Sequence, residues 1–298
     1  MSESYIELTN KCNQDCLFCI RPRHSSFSMS TSEAKGVINR MKNNDMIVFT
    51  GGEPTIRKDL PELVEYAKKE GINRIEIQSN GVLLKNKDFV KALKEAGLDK
   101  ANIALHSANP EVMNMLTRTK TFYSTIEGIT NLHKLNIEVE YAFIINSLNY
   151  TDIKKTVEFV FEKYGKVSLF SFIFVRPEES GWENSNIIPR YTDIKAYLHE
   201  SMQYCSENNI PFNVEYVPFC FLGEFMENSV DYKRILQKTK MVNYWKEEGK
   251  RKEDTSFIKN FQSMGPQCKF CKFYHICPGV RKNYAKLYGT YELFPIFE

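Results

Sequence analysis

Short apolar stretches alternate along the chain with longer segments in which apolar residues recur every three or four positions. Short apolar runs predict buried β-strands, and the longer periodic segments predict amphipathic helices. The predicted strands cover residues 5–9, 46–50, 74–78, 101–105, 138–145 and 167–175. The predicted helices cover residues 30–43, 59–70, 86–96, 109–135, 151–163 and 192–208. Each strand is followed by a helix, which makes six β-then-α units.

Such alternation predicts parallel strands joined by right-handed crossovers. Because a complete barrel of this type has eight units, the fold class we expect is α/β, an open, partial (β/α)6 barrel of the TIM type. After the stretch PFNVEYV the alternation ends, and a mixed-charge helical region over about residues 231–261 leads to a cysteine-rich end. We therefore expect two domains, a barrel over residues 1–212 and a small cysteine-rich domain over residues 213–298.

The composition of the 298 residues is that of an ordinary globular protein, with 42% hydrophobic and 26% charged residues and a formal net charge of +3. This mild charge lacks the concentrated basicity of a dedicated nucleic-acid binder. The amino terminus has no secretory signal pattern, and no apolar run has the length of a membrane helix. We expect a cytoplasmic protein whose eight cysteines serve as metal ligands or reactive thiols rather than as disulfides.

Three cysteines follow the first predicted strand in the segment NKCNQDCLFCI, with the spacing C-x3-C-x2-C. Cys12, Cys16 and Cys19 would lie on a loop at the carboxyl end of that strand, where barrel-type folds place their chemistry. Three thiolates bind three irons of a [4Fe–4S] cluster and leave the fourth iron open, which is the arrangement of a catalytic metal. The alternative is a zinc site that takes a distant fourth ligand.

A second motif, FTGGEPT (49–55), follows the second predicted strand. Gly51 and Gly52 would let the backbone pass close to a ligand, Glu53 offers an acceptor for an ammonium group, and Pro54 stiffens the turn. Alone, this motif is consistent with a simple turn. At the strand end beside a three-cysteine loop, it favours a cofactor site.

The combination of C-x3-C-x2-C, with the aromatic Phe18 before the last cysteine, and the Gly-Gly-Glu-Pro turn resembles the radical S-adenosylmethionine (SAM) superfamily over roughly residues 5–215. The resemblance implies a [4Fe–4S] cluster whose open iron chelates the amino and carboxylate groups of SAM. It also implies reductive cleavage of SAM to methionine and a 5′-deoxyadenosyl radical that removes hydrogen from a substrate C–H bond. An electron donor such as ferredoxin or flavodoxin would be required.

Further SAM contacts are implied by position in the same resemblance. Ser79 and Asn80 lie at the end of the third predicted strand, Ser107 follows the fourth, and Asn146 follows the fifth. A helix cap is an equal alternative for Ser107. His106 points into the site or is a hydrogen-bonded structural histidine.

The segment CKFCKFYHICPG carries Cys268, Cys271 and Cys277 as C-x2-C-x5-C, and Cys220 lies 48 residues before the first of them. The pattern resembles the SPASM and Twitch extensions of radical SAM enzymes. A full SPASM pattern continues with a cysteine four positions later, where this chain has Arg281. The resemblance therefore implies one auxiliary [4Fe–4S] cluster held by these four cysteines, with a zinc ribbon as the alternative.

The remaining cysteine, Cys205, falls on the apolar face of a predicted helix, which favours a buried, inert thiol over a redox role. Arg176 and Glu178 follow the sixth strand, where they are either substrate contacts or a surface ion pair.

Resembling enzymes with such extensions modify peptides or act on small metabolites. We expect modification of a peptide or protein, such as a cross-link, epimerisation or oxidation. The alternatives are a small-metabolite dehydrogenase or rearrangement enzyme, and a non-enzymatic metal-binding module. The chain lacks the Gly-Gly tail of the molybdopterin-precursor cyclase and spaces its last cysteines differently, which disfavours that activity.

Overall fold

A parallel sheet forms the centre of the computed structural model, which describes residues 3–21, 26–42, 45–237, 242–244, 251–253 and 262–297. The strands of this sheet are β1 (Glu3–Thr9), β2 (Met46–Gly51), β3 (Arg74–Ser79), β4 (Lys100–Ala104), β5 (Glu138–Ile145), β6 (Leu169–Phe174), β7 (Phe212–Glu215), β8 (Val242–Tyr244) and β9 (Arg251–Glu253). Across the sheet the order is β7-β6-β5-β4-β3-β2-β1-β8-β9. The sheet is open, because β7 lies at one edge and β9 at the other.

Strands β1 to β7 are parallel to their neighbours, as the β-then-α alternation requires. Strand β8 adds to β1 in parallel, and β9 turns back antiparallel to β8. The helices are α1 (Thr31–Asn39), α2 (Leu60–Lys69), α3 (Lys87–Glu95), α4 (Pro110–Thr117), α5 (Phe122–Lys134), α6 (Ile153–Tyr164), α7 (Ser180–Glu183), α8 (Tyr191–Glu207), α9 (Val230–Gln237) and α10 (Lys282–Tyr288). The predicted α/β class and its parallel sheet are confirmed.

The six predicted strands lie within three residues of their expected limits, but three other expectations need correction. The helix expected over 109–135 is two helices, α4 and α5, because Arg118 ends α4 in the left-handed conformation with φ 52°. The stretch 212–215, within PFNVEYV, is a seventh parallel strand that the six predicted units did not include, and the division into two domains at residue 212 stays a prediction. The region 231–261 contains helix α9 and the short strands β8 and β9, and the rest of it lies outside the described residues.

One face of the sheet packs on the helices, and the other carries polar groups. In β5, Tyr141 and Phe143 are buried, whereas Glu140 alternates with them and points to the opposite face. On that face Lys100 Nζ lies 2.6 Å from the carboxylate of Glu76 and 3.0 Å from that of Glu140. Burial acts to lower the pKa of Lys100, but the two carboxylates outweigh it and raise the pKa. A buried ion triad therefore ties β3, β4 and β5 together.

The carboxyl-terminal segment folds against the barrel. Strands β10 (Gln262–Ser263) and β11 (Val280–Arg281) pair antiparallel, and α10 follows. Tyr284 of α10 is fully buried, with its ring 4.6 Å from that of Tyr191 and 5.8 Å from that of Phe174. Aromatic packing thus joins this segment to β6 and α8. Among the described residues, no helix has the length and apolar character needed to cross a membrane.

Candidate active site

The loop that carries Cys12, Cys16 and Cys19 runs from the carboxyl end of β1 and is fixed by backbone hydrogen bonds to two distant elements. Leu17 N donates to Leu116 O at 2.9 Å, at the end of α4. Ser180 N, at the start of α7, donates to Cys19 O at 3.1 Å. The loop therefore has a defined course at the carboxyl edge of the sheet, where the sequence predicted it.

The Gly-Gly pair holds this loop against β2. A Cβ built on Gly51, which has φ +131°, would lie 2.2 Å from Thr9 O, and one built on Gly52 would lie 2.3 Å from Lys11 O. In place of side chains, Gly52 N donates to Thr9 O at 2.6 Å and Glu53 N donates to Lys11 O at 2.9 Å. The glycines were expected to admit a ligand. The structure shows that they admit the chain's own backbone at the start of the cysteine loop, and their approach to a ligand stays a prediction.

Glu53 is a buried acceptor, with 1% of its surface exposed. Its Oε1 accepts from Thr55 N at 2.9 Å, from Thr55 Oγ1 at 2.5 Å and from Ser79 Oγ at 2.8 Å. Its Oε2 accepts from Asn80 N at 2.7 Å. Burial raises the pKa of Glu53, and these hydrogen bonds oppose that rise. Because a carboxylate oxygen has two lone pairs, Oε2 retains capacity for one more donor. Pro54 begins the short 3-10 turn that places Thr55.

Asn80 faces the cysteine loop from the end of β3. Its Nδ2 lies 2.7 Å from Asn13 Oδ1 and 3.8 Å from Cys12 Sγ, while its Oδ1 accepts from Val82 N at 3.1 Å. Ser79 Oγ in turn accepts from Gly81 N at 3.0 Å. The two predicted residues of this strand end therefore lie beside Glu53 and Cys12. Asn13, which the motif spacing did not single out, supplies the partner that orients the amide.

The three thiols of the loop provide an all-sulfur donor set. Burial raises the pKa of Cys12 to about 11, and the nearby Glu53 and Cys19 add to the rise. Burial also raises the pKa of Cys16, with contributions from Cys19 and Cys12. Among the described residues, no three His, Cys, Asp or Glu side chains are arranged to hold a single metal ion. Thiolates are the ligands of iron–sulfur clusters, which take one cysteine on each iron, so this donor set fits a cluster.

Phe18 and His106 pack together behind the loop. Phe18 is 8% exposed, and its ring meets that of His106 edge-on at 4.7 Å. His106 Nδ1 accepts from Ile144 N at 3.1 Å, and burial lowers the pKa of the imidazole to about 3. The ring is therefore neutral and hydrogen-bonded, which agrees with the structural alternative for His106.

Ser107 and Asn146 are fully buried and their hydrogen bonds lie within the strand-end turns. Ser107 Oγ donates to Asp152 Oδ2 and accepts from Asn109 N, both at 2.9 Å. The cap of α4 is Asn109, so the capping alternative for Ser107 is wrong. Asn146 Nδ2 donates to Ile144 O at 2.9 Å. Both side chains shape the carboxyl edge of the sheet, and their contact with SAM stays a prediction.

The four cysteines predicted for a second centre line one small pocket. The lining residues are Phe219, Cys220, Met264, Cys268, Cys271, Cys277, Gly279, Leu293 and Phe294. Burial raises the pKa of Cys220 to about 12, with contributions from the nearby Cys277 and Cys268. The fold thus brings Cys220 to three cysteines that are at least 48 residues away in sequence. Four thiols around an apolar cavity fit an auxiliary cluster.

Two further predicted residues lie outside this cavity. Cys205 is fully buried in α8, as its helix face predicted, and burial raises the pKa of its thiol to about 12. Arg281 stands at the position of the missing SPASM cysteine and pairs with Glu178 across 103 residues.

The segment after β6 joins the two cysteine groups. On one side Ser180 N contacts Cys19 O, as described above. On the other side Asn283 Nδ2, in α10, donates to Pro177 O at 2.9 Å. Residues 176–183 therefore contact both the first cysteine loop and the carboxyl-terminal segment. Sequence reasoning missed this bridge, because no local pattern marks a contact between residues about a hundred positions apart.

Comparison with known proteins agrees with this geometry. The family model of the radical SAM superfamily matches residues 6–160. A probable GTP 3',8-cyclase of Methanocaldococcus jannaschii is 32% identical over 196 residues, which cover 64% of this chain and 65% of that protein. Another, of Saccharolobus islandicus, is 34% identical over 158 residues, 51% of each chain. The chain therefore spans less than two-thirds of the length of these relatives.

Two solved structures resemble the fold over nearly the whole chain. SuiB of Streptococcus suis bound to S-adenosylmethionine has a TM-score of 0.68 at 16% identity, with 99% of this chain and 76% of that chain covered. The enzyme anSMEcpe with bound AdoMet and the Kp18Cys peptide also has a TM-score of 0.68, at 18% identity, with coverage of 95% and 90%. The family match, the open parallel sheet and the three-cysteine loop at its carboxyl edge lead to one conclusion: this chain belongs to the radical SAM superfamily, whose members bind a [4Fe–4S] cluster and SAM.

Proposed function

We propose that Cys12, Cys16 and Cys19 hold the SAM-binding [4Fe–4S] cluster. Three observations support the assignment: the thiols share one loop, the loop lies at the carboxyl edge of a parallel sheet, and Glu53 stands beside it. Glu53 Oε2, which accepts one hydrogen bond from the residues that the structure describes, would receive the methionine ammonium of SAM. When bound, the reduced cluster and SAM supply a 5′-deoxyadenosyl radical that removes hydrogen from a C–H bond.

We propose that Cys220, Cys268, Cys271 and Cys277 hold an auxiliary [4Fe–4S] cluster in the pocket that they line. Four protein ligands leave no iron open, so this site suits electron transfer rather than substrate ligation. Ile296 N lies 3.4 Å from Cys271 Sγ, and Gly279 N lies 3.4 Å from Cys277 Sγ. These backbone donors would stabilise the ligated thiolates. Reduction would come from a protein donor such as ferredoxin or flavodoxin, in the cytoplasm.

The substrate we propose is a peptide or protein that loses hydrogen from an unactivated C–H bond. The observation that carries this proposal is the bridge formed by residues 176–183, because a substrate at the barrel mouth would face both cysteine groups. The fold likeness to SuiB, solved with its precursor peptide SuiA at a TM-score of 0.68 over 99% of this chain, supports the same substrate class.

The test is anaerobic reconstitution with iron and sulfide, followed by incubation with SAM and dithionite. We expect about eight irons per chain, from two four-iron clusters, and formation of 5′-deoxyadenosine. Replacement of Cys12, Cys16 and Cys19 by Ala should abolish cleavage and leave about four irons. Replacement of Cys268 and Cys271 by Ala should also leave about four irons but retain cleavage. Cleavage that survives the first replacement would refute the assignment of the SAM-binding cluster.

The substrate class is tested with short peptides encoded beside the gene for this chain. Mass spectrometry should show a peptide that loses two hydrogen atoms or gains a cross-link in the presence of SAM and dithionite. The wild-type protein without SAM is the control. SAM cleavage that no such peptide stimulates, together with turnover of a small molecule, would reject the peptide assignment.

A small-metabolite substrate is the second candidate, favoured by the identity of 32% over 196 residues to a probable GTP 3',8-cyclase. That match covers 64% of this chain, and the fold likeness to SuiB covers 99% of it. Incubation with GTP, SAM and dithionite separates the candidates. Consumption of GTP with formation of a cyclised product would establish the metabolite activity.

A further inference from the structure

Four side chains from three separate parts of the chain meet at the carboxyl edge of β6 and β7. Arg176 and Glu178 follow β6, Tyr216 directly follows β7, and Arg281 ends β11. We call them the Arg176 group. Parallel-sheet folds bind their ligands at this edge.

Two guanidinium groups of the Arg176 group share one carboxylate and one aromatic ring. Glu178 Oε2 accepts from Arg176 Nε at 3.0 Å and also from Arg176 Nη2, and Glu178 Oε1 accepts from Arg281 Nη1. The Cζ atom of Arg281 lies 4.5 Å from the centre of the Tyr216 ring, and that of Arg176 lies 5.7 Å from it. The geometry concentrates two permanent cations within one small volume.

Tyr216 is held in a conformation that a bulky residue rarely adopts. Its φ is 62°, in the left-handed region. Two hydrogen bonds keep it there: Tyr216 N donates to Asp231 Oδ2 at 3.1 Å, and the buried Tyr191 hydroxyl donates to Tyr216 O at 3.0 Å. Backbone strain of this kind concentrates at functional sites. Here it presents the tyrosine ring to the two arginines.

The Arg176 group lies between the two cysteine groups. It shares the segment 176–183, which contacts the first cysteine loop through Ser180 and Cys19. Arg281 follows Cys277 by four residues in the carboxyl-terminal segment. Short stretches of chain therefore connect the Arg176 group to both cysteine groups.

The group has donors for an incoming anion. The side chains of Arg176 and Glu178 are each 24% exposed. Arg176 donates to Glu178 from Nε and Nη2. Its Nη1 makes no hydrogen bond to the part of the chain that the structure describes, so that nitrogen is available to a ligand. The other charged groups nearby are Arg234, Glu215 and Asp231, which interact with one another. Guanidinium groups favour carboxylate and phosphate oxygens, because their N–H groups match such anions in pairs.

We propose that Arg176 and Arg281 bind an anionic group of the substrate, a carboxylate or a phosphate, at the carboxyl edge of β6. The inference rests on the proposed function, because it places the substrate between the two clusters. It adds the charge of the group that is recognised and the residues that recognise it.

The test is calorimetric titration of the reconstituted, SAM-loaded protein at constant ionic strength. Inorganic pyrophosphate probes phosphate recognition, and succinate probes carboxylate recognition. We expect one or both to bind, and Arg176→Gln to weaken that binding by about tenfold or more, as loss of a charge-assisted hydrogen bond does. Arg176→Lys should retain part of the affinity, because it keeps the charge but loses the planar guanidinium donors.

Arg190→Gln is the matched control. Arg190 also lies over a tyrosine, with its Cζ 4.5 Å from the Tyr288 ring, but it is outside the Arg176 group. This variant should bind the probe as the wild type does, and circular dichroism should show that all variants are folded.

Binding of pyrophosphate alone would indicate a phosphorylated substrate, and binding of succinate alone would indicate a carboxylate. Wild-type protein that binds neither probe, or Arg176→Gln that binds as tightly as the wild type, would overturn the inference and leave a structural ion pair. A wild-type protein that cleaves no SAM would instead overturn the proposed function, whatever the titration shows.

Discussion

At the scale of single residues, the amide of Asn80 is directed at the first cysteine of the motif. Its Nδ2 lies 3.8 Å from Cys12 Sγ, and hydrogen bonds to ligand sulfurs help to set the potential of an iron–sulfur cluster. Asn80→Asp would retain the acceptor for Val82 N but replace the donor with a negative charge. We expect the midpoint potential to fall by about 40 mV or more, the equivalent of roughly 1 kcal/mol for one electron.

The measurement is a redox titration followed by electron paramagnetic resonance. Asn86→Asp is the control, because it makes the same chemical change at the exposed cap of α3 and keeps the acceptor for Phe89 N. Equal potentials in Asn80→Asp and the wild type would show that the amide does not act on the cluster.

The close backbone approach at the glycines of the second motif leaves no room for a side chain at position 52. A Cβ at position 52 would lie 2.3 Å from Lys11 O and 2.6 Å from Asn10 O, which are backbone atoms that the side chain cannot displace cheaply. We expect Gly52→Ala to lower the free energy of unfolding by about 1–3 kcal/mol and to reduce the iron bound at the first site. Urea unfolding and iron analysis measure the two effects.

Gly36 provides the matched control in α1, where a Cβ would meet nothing within 4 Å. Gly36→Ala should raise the free energy of unfolding by about 0.5–1 kcal/mol, because alanine favours helices. A Gly52→Ala protein as stable and as iron-rich as the wild type would contradict the proposed role of the close approach.

Because His106 is buried as a neutral ring, we expect the free energy of unfolding to depend on pH. Burial lowers the pKa of the folded imidazole to about 3, whereas an unfolded histidine has a pKa of about 6.5. Below a pH of about 6.5, the imidazole of the unfolded chain takes up a proton that the folded imidazole does not. The contribution of His106 to the free energy of unfolding is therefore fully present above about pH 6.5 and decreases as the pH falls towards the folded pKa.

We expect His106 alone to lower the free energy of unfolding by about 1.4 kcal/mol for each pH unit by which the pH falls in that range. The measurement is urea unfolding of the wild type and of His106→Gln at about pH 6 and about pH 5, which both lie below the unfolded pKa. His106→Gln should show the weaker pH dependence, and His275→Gln, at an exposed position, should match the wild type. Identical slopes in all three proteins would mean that His106 is not held neutral.

At the scale of elements, strands β3, β4 and β5 share the buried triad of Lys100, Glu76 and Glu140. The three side chains are 10%, 4% and 12% exposed. Removing the cation would leave two carboxylates together in a poorly solvated place. We therefore expect Lys100→Met to lower the free energy of unfolding by about 3–5 kcal/mol.

The control for this change is Lys42→Met, which breaks the exposed pair with Glu70. Exposed pairs contribute about 0–1 kcal/mol, so this variant should unfold at nearly the wild-type urea concentration. A similar small effect of Lys100→Met would show that water or other groups compensate the two carboxylates.

At the scale of the whole molecule, the carboxyl-terminal segment is attached to the barrel by buried aromatic packing. Tyr284 is fully buried against Tyr191 and Phe174, and its hydroxyl accepts from Tyr191 N at 3.1 Å. We expect Tyr284→Ala to lower the free energy of unfolding by about 3–5 kcal/mol. Hydrogen exchange should then increase in residues 262–297, and the iron of the second site should be lost before that of the first.

Tyr291→Ala is the matched control, because Tyr291 is 90% exposed in the same segment. It should change neither hydrogen exchange nor iron content. Unaltered exchange in Tyr284→Ala would mean that other contacts suffice to hold the segment on the barrel.

The sequence alone determined the class of fold and the position of the first cysteine loop. Both follow from local physics: apolar runs of strand length alternate with helical periodicity, and three cysteines within eight residues must share one loop. The parallel arrangement then placed that loop beside the turn at Gly51 and Gly52 without further information.

Tertiary structure decided the relations between distant residues. Only the fold showed that Cys220 reaches the pocket of the carboxyl-terminal cysteines and that the two glycines admit the backbone at the end of β1 and at the start of the cysteine loop. It also showed that Arg281, at the position of the missing cysteine, pairs with Glu178. Local hydrophobic periodicity specifies what an element is and which face it buries, but not which side chains of other elements meet it, because that depends on crossing geometry over a hundred residues.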